Sequence, residues 1–174
     1  MKRILRIGTG KRRERRTSPA VPLLAGLLAL YVLPAVAADF TGTVVGVTDG
    51  DTITVLHHGR GEKIRLSGID CPEKAQAYGQ KAKEAASALV FGQPVTIVTH
   101  KQDQYRRTIG DVLLPDGTNV NHTLVQDGLC WWYRRYAPRD ATLERLEAEA
   151  RNAKRGLWGD PNPVPPWAWR RRSQ

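Results

Sequence analysis

The decisive stretch of the chain reads Arg65-Leu66-Ser67-Gly68-Ile69-Asp70-Cys71-Pro72-Glu73, and it closely follows Asp49-Gly50-Asp51-Thr52. Both segments contain turn residues within an otherwise apolar, strand-like region. A hairpin requires only the Asp-Gly pair, so it does not account for the other charged residues. Asp51, Asp70 and Glu73 beside an arginine suit a hard cation that meets a phosphate group. The stretch therefore indicates phosphodiester chemistry.

Apolar patterning around this stretch predicts the fold. Alternating apolar residues predict five strands, over Phe40–Val47, Thr52–Leu56, Lys63–Leu66, Pro94–His100 and Thr108–Leu114. Spacing typical of helices predicts three more elements, over Tyr78–Phe91, Asn121–Asp127 (capped by Asn121) and Pro138–Asn152. Five short strands interrupted by helices indicate an α+β fold, a five-stranded Greek-key barrel of the OB type with about three helices.

Net charge is weak evidence about the partner of this protein. The chain of 174 residues has a formal net charge of +10 and suits one compact domain with short extensions. Residues 1–38 hold eight of the 27 Lys/Arg and one of the 17 Asp/Glu, which leaves 19 against 16, or +3, for the remainder. Arg170, Arg171 and Arg172 alone match that excess. Local clusters must therefore carry any argument for nucleic acid binding.

Residues 1–38 have the composition of an export signal. A basic run over residues 11–16 precedes an apolar stretch from Val21 to Val36, and Ala35-Val36-Ala37 supplies a small-x-small cleavage site. We expect a periplasmic or secreted protein, with a retained N-terminal membrane anchor as the alternative. The remaining chain divides into a domain over 39–159 and a tail over 160–174 rich in Pro, Trp and Arg, which is predicted to be flexible.

An ordered set of motifs resembles the staphylococcal nuclease (thermonuclease) family. The set runs from about Thr41 to Trp158 and comprises strand–Asp-Gly-Asp-Thr–strand, Arg-Leu-x-x-Ile-Asp-x-Pro-Glu, Tyr-Gly-x-x-Ala, Asp-x-Tyr-x-Arg and Gly-Leu-Trp. The resemblance implies an OB-type barrel and a calcium-dependent nuclease. Such an enzyme hydrolyses phosphodiester bonds of DNA and/or RNA with water and leaves 3′-phosphate ends.

The resemblance also implies a metal site. Asp51 and Asp70 would ligate Ca²⁺ together with the backbone carbonyl of Cys71. Carboxylate and carbonyl oxygens suit calcium, whereas the lack of a His pair or a Cys-x-x-Cys motif disfavours zinc. Asp49 and Gly50 are interpreted as the turn itself.

Three further residues receive catalytic roles from the resemblance. Glu73 would position or deprotonate the attacking water, and Arg65 and Arg107 would bind the phosphate. Arg106 stands where the family has glycine, so either the two arginines exchange roles or the loop is reshaped. Taken individually, Arg65 also suits a solvated strand position and Glu73 suits a helix N-terminus.

Two cysteines, Cys71 and Cys130, are present in the exported part of the chain. An oxidising compartment permits a disulfide, and no other cysteine competes for pairing. We therefore predict a bridge between them; the alternative is that Cys71 is a small buried filler.

An aromatic and basic patch covers residues 131–136. Tyr133, Tyr136, Arg134 and Arg135 resemble the family's platform for a nucleotide base, where aromatic rings stack and arginines meet phosphate. The alternative is that Trp131 or Trp132 belongs to the core.

Two rival functions remain from the sequence. A barrel of this type can be a non-catalytic nucleic-acid-binding OB module, and the tail permits an interaction module at the cell envelope. Metal-dependent digestion of DNA separates the nuclease from both. The sequence shows no oligomerisation signal, so a monomer without a stable protein partner is expected.

Overall fold

A five-stranded barrel forms the centre of the molecule. The computed structural model describes residues 38–172, so the predicted export signal lies, apart from Ala38, outside the described residues. The barrel strands are β1 (Phe40–Asp49), β2 (Thr52–His57), β3 (Arg60–Leu66), β5 (Pro94–Gln102) and β6 (Thr108–Leu113). They close in the order β1-β2-β3-β6-β5. The predicted α+β fold with a five-stranded OB-type barrel is confirmed.

Strand pairing makes the barrel a mixed sheet. Neighbouring strands are antiparallel except for β3 and β6, which run parallel and pair Ile64 with Thr108 and Arg65 with Ile109. Alternation along each strand sends every second side chain inward. Ile64 and Leu66 are therefore buried, whereas Arg65 between them points to the outer side.

Helices pack against the barrel strands and against one another. They are α1 (Gly79–Val90), α2 (Val120–Gln126) and α3 (Ala141–Asn152), and a 3-10 turn follows over Gly156–Gly159. The buried stripe of α1 includes Ala82 and Ala86, as expected from the alanine spacing. Asp140 caps α3 by accepting a hydrogen bond from the backbone N–H of Leu143, so α3 begins after the predicted Pro138.

The predicted cap of α2 was wrong. Asn119 is the residue that accepts a hydrogen bond from the N–H of His122. Asn121 lies inside the first turn, where its buried amide donates to the carbonyl of Ser67 and accepts from the N–H of Val112. Asn121 therefore ties β6 to the loop that leads into the acidic stretch.

A second, two-stranded sheet was not predicted. Its strands are β4 (Ile69–Asp70) and β7 (Trp131–Trp132), which pair Ile69 with Trp132 and Asp70 with Trp131. Immediately beyond this pair, Cys71 and Cys130 form a disulfide with a Cα–Cα distance of 4.1 Å. The acidic stretch is thereby joined to the aromatic patch through backbone and covalent links.

The C-terminal tail differs from the expected flexible segment. Pro166–Arg172 forms a short helix, α4, which begins with a proline, the residue suited to a first helical turn. Pro166 is buried, and the amide of Gln76 donates a hydrogen bond to the carbonyl of Val164 at 2.5 Å. The tail is therefore packed against the domain rather than extended into solvent. Among residues 38–172, no helix is both long and apolar enough to cross a membrane.

Candidate active site

Strand register brings Asp51 and Arg65 together. Asp51 immediately precedes β2, and its carbonyl accepts a hydrogen bond from the N–H of Leu66 at 2.9 Å. Thr52 pairs with Arg65 across the β2–β3 hairpin. Asp51 retains 5% of its accessible surface and Asp70 only 1%, so both carboxylates are held away from bulk water. Buried acids at this density require cationic partners.

Arg65 supplies one such partner. Its Nη1 lies 2.9 Å from Asp51 Oδ2, and its Nη2 lies 2.9 Å from Asp70 Oδ1. Nη1 also lies within 3.3 Å of the carbonyl oxygen of Leu66. The forked guanidinium thus bridges both predicted metal ligands and fixes their separation.

The position of Cys71 reinforces this arrangement. Its backbone N–H donates a hydrogen bond of 2.7 Å to Asp51 Oδ2. The disulfide to Cys130 holds the same residue in place from its side chain. Asp51, Asp70 and the Cys71 backbone therefore form one rigid corner of the molecule.

Glu73 lies at the exposed side of this corner. Its backbone N–H donates to the side chain of Gln76 at 3.2 Å, and its side chain retains 39% of its accessible surface. An acid that is partly open to solvent can reach a water molecule, as the role predicted for Glu73 requires.

Arg170 was not predicted to belong to the site. Its Nη2 lies 2.7 Å from Asp70 Oδ2, and its Nη1 lies 2.6 Å from Glu73 Oε1. These contacts join residues about 100 positions apart in the chain. The only sequence signal was the run of three arginines, which does not show which of them would turn inward.

Asp49 is more than the turn residue it was interpreted to be. Burial, followed by the charge of Asp51, raises its pKa to about 6, and its Oδ1 is buried without a hydrogen bond partner in residues 38–172. Burial also raises the pKa of Asp70, which its hydrogen bond from Arg170 and the charge of Arg65 offset only in part. Both carboxyl groups are therefore harder to ionise than exposed ones, chiefly because burial penalises their charged form.

The donor set fits a hard cation. The described residues contain no group of three or more His, Cys, Asp or Glu side chains already arranged around a metal position. Arg170 instead supplies a positive charge to Asp70 and Glu73, and Asp49 Oδ1 has no hydrogen bond partner among residues 38–172. Carboxylate and carbonyl oxygens are the ligands that hard divalent cations prefer. Asp51, Asp70 and the Cys71 carbonyl are the groups that would hold such a cation.

Arg107 lies on the same side of the sheet as Arg65, but its ion pair is with Asp103 rather than with Asp51 or Asp70. A backbone hydrogen bond between Asp103 and Arg107 extends the β5–β6 ladder by one pair. Arg107 therefore precedes Ile109, the register partner of Arg65, by two residues, or ~7 Å along the strand. Its guanidinium pairs with Asp103 at 2.8 Å. Both arginines thus lie on one side of the sheet, each paired with acidic side chains.

Comparison with known proteins decides the family. The model of the family described as "Staphylococcal nuclease homologue" matches residues 63–160. The chain belongs to the staphylococcal nuclease family. An Escherichia coli protein named "Uncharacterized endonuclease" is 45% identical over 152 residues, which cover 87% of this chain and 97% of the relative. A Shigella flexneri protein named "Micrococcal nuclease" is 41% identical over 164 residues, covering 89% and 94%.

A plant relative shares a shorter region. The "Staphylococcal-like nuclease CAN1" of Arabidopsis thaliana is 38% identical over 112 residues, which cover 64% of this chain and 34% of that protein. The bacterial relatives instead match along nearly their whole length. The predicted family resemblance is therefore confirmed, and phosphodiester hydrolysis is the activity that the family supports.

Arg106, which stands where the family has glycine, adopts a backbone conformation that glycine favours. Arg106 has a φ of 62°, in the left-handed region that glycine favours. Its N–H donates to the carbonyl of Asp103, and the Asp103 carboxylate accepts from the N–H groups of Tyr105 and Arg107. The loop therefore adopts the conformation of a glycine turn, and Arg107 rather than Arg106 makes the ordered ion pair.

We expect Arg106→Gly to raise stability slightly and to retain activity. A non-glycine residue in the left-handed region costs ~1–2 kcal/mol. Glycine removes that cost, but it loses more conformational entropy on folding, which offsets about half of the gain. Thermal unfolding should therefore show a gain of about 0.5–1 kcal/mol. Arg106→Val should instead lose stability, because a β-branched side chain is poorly tolerated there. Equal melting temperatures for the glycine and valine variants would contradict this account.

The aromatic patch is partly core and partly covered. Trp131 and Trp132 are both buried, so the core alternative holds for each of them. The ring of Tyr133 stacks on Trp167 of the tail, with centroids 5.2 Å apart and planes 10° apart, and meets Tyr136 edge-on at 4.9 Å. Tyr136 remains exposed.

The two arginines predicted to bind nucleic acid have different environments. Arg134 pairs with the buried Glu147 at 3.0 Å and covers the ring of Trp132 at 4.2 Å. Arg135 is exposed and lies 5.9 Å from the ring of Tyr136. A cavity of about 520 Å³ lies beside them and is bounded on its other side by the tail residues Trp167, Arg170 and Arg171. Its lining of arginines and aromatic rings suits a polyanion with stacking bases.

Proposed function

We propose that the protein is an exported, calcium-dependent nuclease that hydrolyses phosphodiester bonds of DNA and/or RNA and leaves 3′-phosphate ends. The observation that carries the proposal is the corner in which Arg65 bridges Asp51 and Asp70. Family membership and relatives named as endonucleases support nucleic acid hydrolysis. Export rests on the composition of residues 1–38, and a periplasmic or secreted location follows from it.

The residues of the chain divide the chemistry between them. A phosphodiester under attack gains negative charge on its non-bridging oxygens, so positioned cationic donors lower the barrier. In this proposal, Arg65 and Arg107, on one side of the sheet, hold those oxygens once they exchange their carboxylate partners for phosphate. Glu73, partly open to solvent, orients a water molecule and accepts its proton. A bound calcium ion would supply electrostatic stabilisation of the phosphate.

Tyr133, Tyr136, Arg134 and Arg135 are proposed to contact the nucleic acid beside the scissile bond. Tyr136 and Arg135 are exposed, and the neighbouring cavity is cationic. Base stacking on tyrosine is tolerant of sequence, which agrees with hydrolysis that does not depend on a specific base. A monomer satisfies this arrangement, because all the named residues come from one chain.

Digestion assays distinguish this function from the non-catalytic alternative. The purified protein is incubated with single-stranded and double-stranded DNA and RNA, in the presence of calcium or of a chelator. We expect cleavage that requires calcium, with 3′-phosphate ends identified by their resistance to extension until a phosphatase removes them. Binding without cleavage under all conditions would favour the nucleic-acid-binding OB module.

Calcium should raise the melting temperature. A ligand that binds only the folded state stabilises it by about 2.7 kcal/mol at 100 times its dissociation constant. For a domain of this size that energy corresponds to roughly 8–12 °C. A nucleotide bisphosphate should increase the shift, because its phosphates add ligands and contacts to the arginines.

The double variant Asp51→Ala plus Asp70→Ala should abolish the calcium shift. The matched control is Asp116→Ala plus Asp127→Ala, which removes two exposed acids away from the site and should preserve the shift. Each variant is compared with itself with and without calcium, so that differences in basal stability cancel. A full shift in the Asp51 and Asp70 double variant would place the metal elsewhere.

A further inference from the structure

The C-terminal segment is attached to the domain along the proposed substrate cleft. Its first anchor is the hydrogen bond from the amide of buried Gln76 to the carbonyl of Val164. Its second is Trp167, which packs between Trp131 and Tyr133. Its third is Arg170, which reaches Asp70 and Glu73. The segment thus runs from the loop after Glu73, across the tyrosine platform and back to the acidic corner.

The guanidinium of Arg170 occupies the position beside Asp70 that we propose for the divalent cation. Asp70 is 1% exposed; its Oδ1 accepts hydrogen bonds from both Arg65 and Arg170, and its Oδ2 accepts one from Arg170. The Arg170 guanidinium also bonds to Glu73 at 2.6 Å. Asp70 cannot ligate a metal through its Oδ2 while that oxygen accepts a charge-assisted hydrogen bond of 2.7 Å.

Charge balance points the same way. Asp51, Asp70 and Glu73 carry three negative charges, and Arg65 and Arg170 return two, so one negative charge remains among these five groups. If Arg170 withdraws, two negative charges remain, which match a divalent cation. The guanidinium and the metal are therefore alternative counter-ions of the same carboxylates.

The ring of Trp167 occupies the position on Tyr133 that we propose for a nucleotide base. Its ring is parallel to that of Tyr133 within 10°, at a centroid distance of 5.2 Å, which is the stacked arrangement a nucleobase would adopt on a tyrosine. An edge contact with Trp131 at 5.5 Å supports it from below. One face of the Tyr133 platform is therefore closed to substrate while Trp167 is in place.

We infer that the C-terminal segment Asp160–Arg172 is an intramolecular ligand of the nuclease cleft, with Arg170 in competition with the divalent cation and Trp167 in competition with a nucleotide base. The inference rests on the proposed function. It makes cation binding and tail docking mutually exclusive at Asp70, so that calcium and nucleic acid together release the segment. In the absence of calcium and nucleic acid, the docked segment keeps the enzyme inactive.

Calcium affinity tests the inference without measuring turnover. Isothermal titration calorimetry compares the wild type with Arg170→Ala and with the matched control Arg172→Ala, which removes the same charge from an exposed position on the same helix. Calcium can bind only those molecules whose tail is undocked, so tail docking lowers the apparent calcium affinity of the wild type. Arg170→Ala weakens docking and should therefore bind calcium about 10- to 100-fold more tightly. Arg172→Ala should stay within about twofold of the wild type. Arg170→Lys, which keeps the charge but loses the fork, should fall between them.

Hydrogen exchange tests displacement directly. Backbone amides of residues 167–172 in the wild-type protein should exchange at least tenfold faster with saturating calcium and a nucleotide bisphosphate than without them. Amides of the barrel strand β2 should become slower or stay unchanged. In Arg170→Ala, fast exchange of the tail should already occur without ligand.

Failures of the two proposals have different signatures. If the wild type and Arg170→Ala bind calcium equally well and the tail stays protected, the tail is a structural element and the inference is wrong, while the proposed function stands. If Arg170→Ala binds calcium more weakly, Arg170 supports the site rather than competing for it, which also overturns the inference. If no variant binds calcium and none digests nucleic acid, the proposed function is wrong, and the inference, which rests on it, is wrong too.

Discussion

Replacing Glu73 by glutamine is expected to lower turnover by roughly two to four orders of magnitude while the protein stays folded. Removal of a positioned general base costs about 10²–10⁴ in rate, because water is then neither oriented nor deprotonated. Glutamine has nearly the same volume and still accepts a hydrogen bond from Arg170 through its amide oxygen. Glu73 is also partly exposed, so its loss leaves no buried charge unpaired.

The measurement is the initial rate of DNA hydrolysis at saturating calcium, with thermal unfolding recorded on the same preparation. Glu144→Gln serves as the control, because it neutralises an exposed glutamate on α3 away from the acidic corner. The control should keep the wild-type rate. Near wild-type turnover in folded Glu73→Gln would show that Glu73 is not the group that handles the proton.

Arg65 requires a different substitution from the one its catalytic role suggests. Its guanidinium bridges two buried carboxylates, so Arg65→Ala would leave both without their shared partner and destabilise the fold by several kcal/mol. Lysine keeps the charge but cannot bridge two acids or two phosphate oxygens with a planar fork. The ion pairs of Arg65 with Asp51 and Asp70 therefore stabilise the fold, and this role must be separated from the phosphate recognition that we propose for the same residue.

Local patterns were sufficient to predict the barrel. Each strand alternates apolar and polar residues, and the register of β2 and β3 follows from the tight His58-Gly59 turn and from the requirement that Ile53 and Ile64 both face inward. Family motifs then placed Asp51, Arg65, Asp70 and Glu73 in one region. The structure brings all four together.

Features that depend on distant contacts escaped the sequence analysis. β4 and β7 have only two residues each, which is too short for any periodicity. Asn119 and Asn121 are equally good caps in sequence, and only the burial of Asn121 against Ser67 separates them. Proline content suggested a flexible tail, whereas α4 is fixed by contacts such as that of Arg170 with Asp70, 100 positions away. Such long-range pairs leave no local signal.

The disulfide connects the two halves of the site, and its loss should have the second large effect. Cys71 follows Asp70 directly and donates its N–H to Asp51, while Cys130 precedes β7 and the aromatic patch. The bond closes a loop of 59 residues. In the chain-entropy description, opening a loop of that length costs about 4 kcal/mol, because the unfolded chain regains its freedom.

We therefore expect the double variant Cys71→Ala plus Cys130→Ala to melt roughly 12–18 °C below the wild type. Alanine avoids placing an unsatisfied hydroxyl in two positions that are almost fully buried. Thermal unfolding is measured for both proteins with and without a reductant. The reductant should lower the melting temperature of the wild type towards that of the variant and leave the variant unchanged.

Calcium affinity should fall as well, because the Cys71 backbone that orients Asp51 is no longer held by a covalent link. Coincident melting curves for wild type and variant would contradict the stabilising role, and an unchanged calcium affinity would show that the β4–β7 pairing alone is enough to fix the corner.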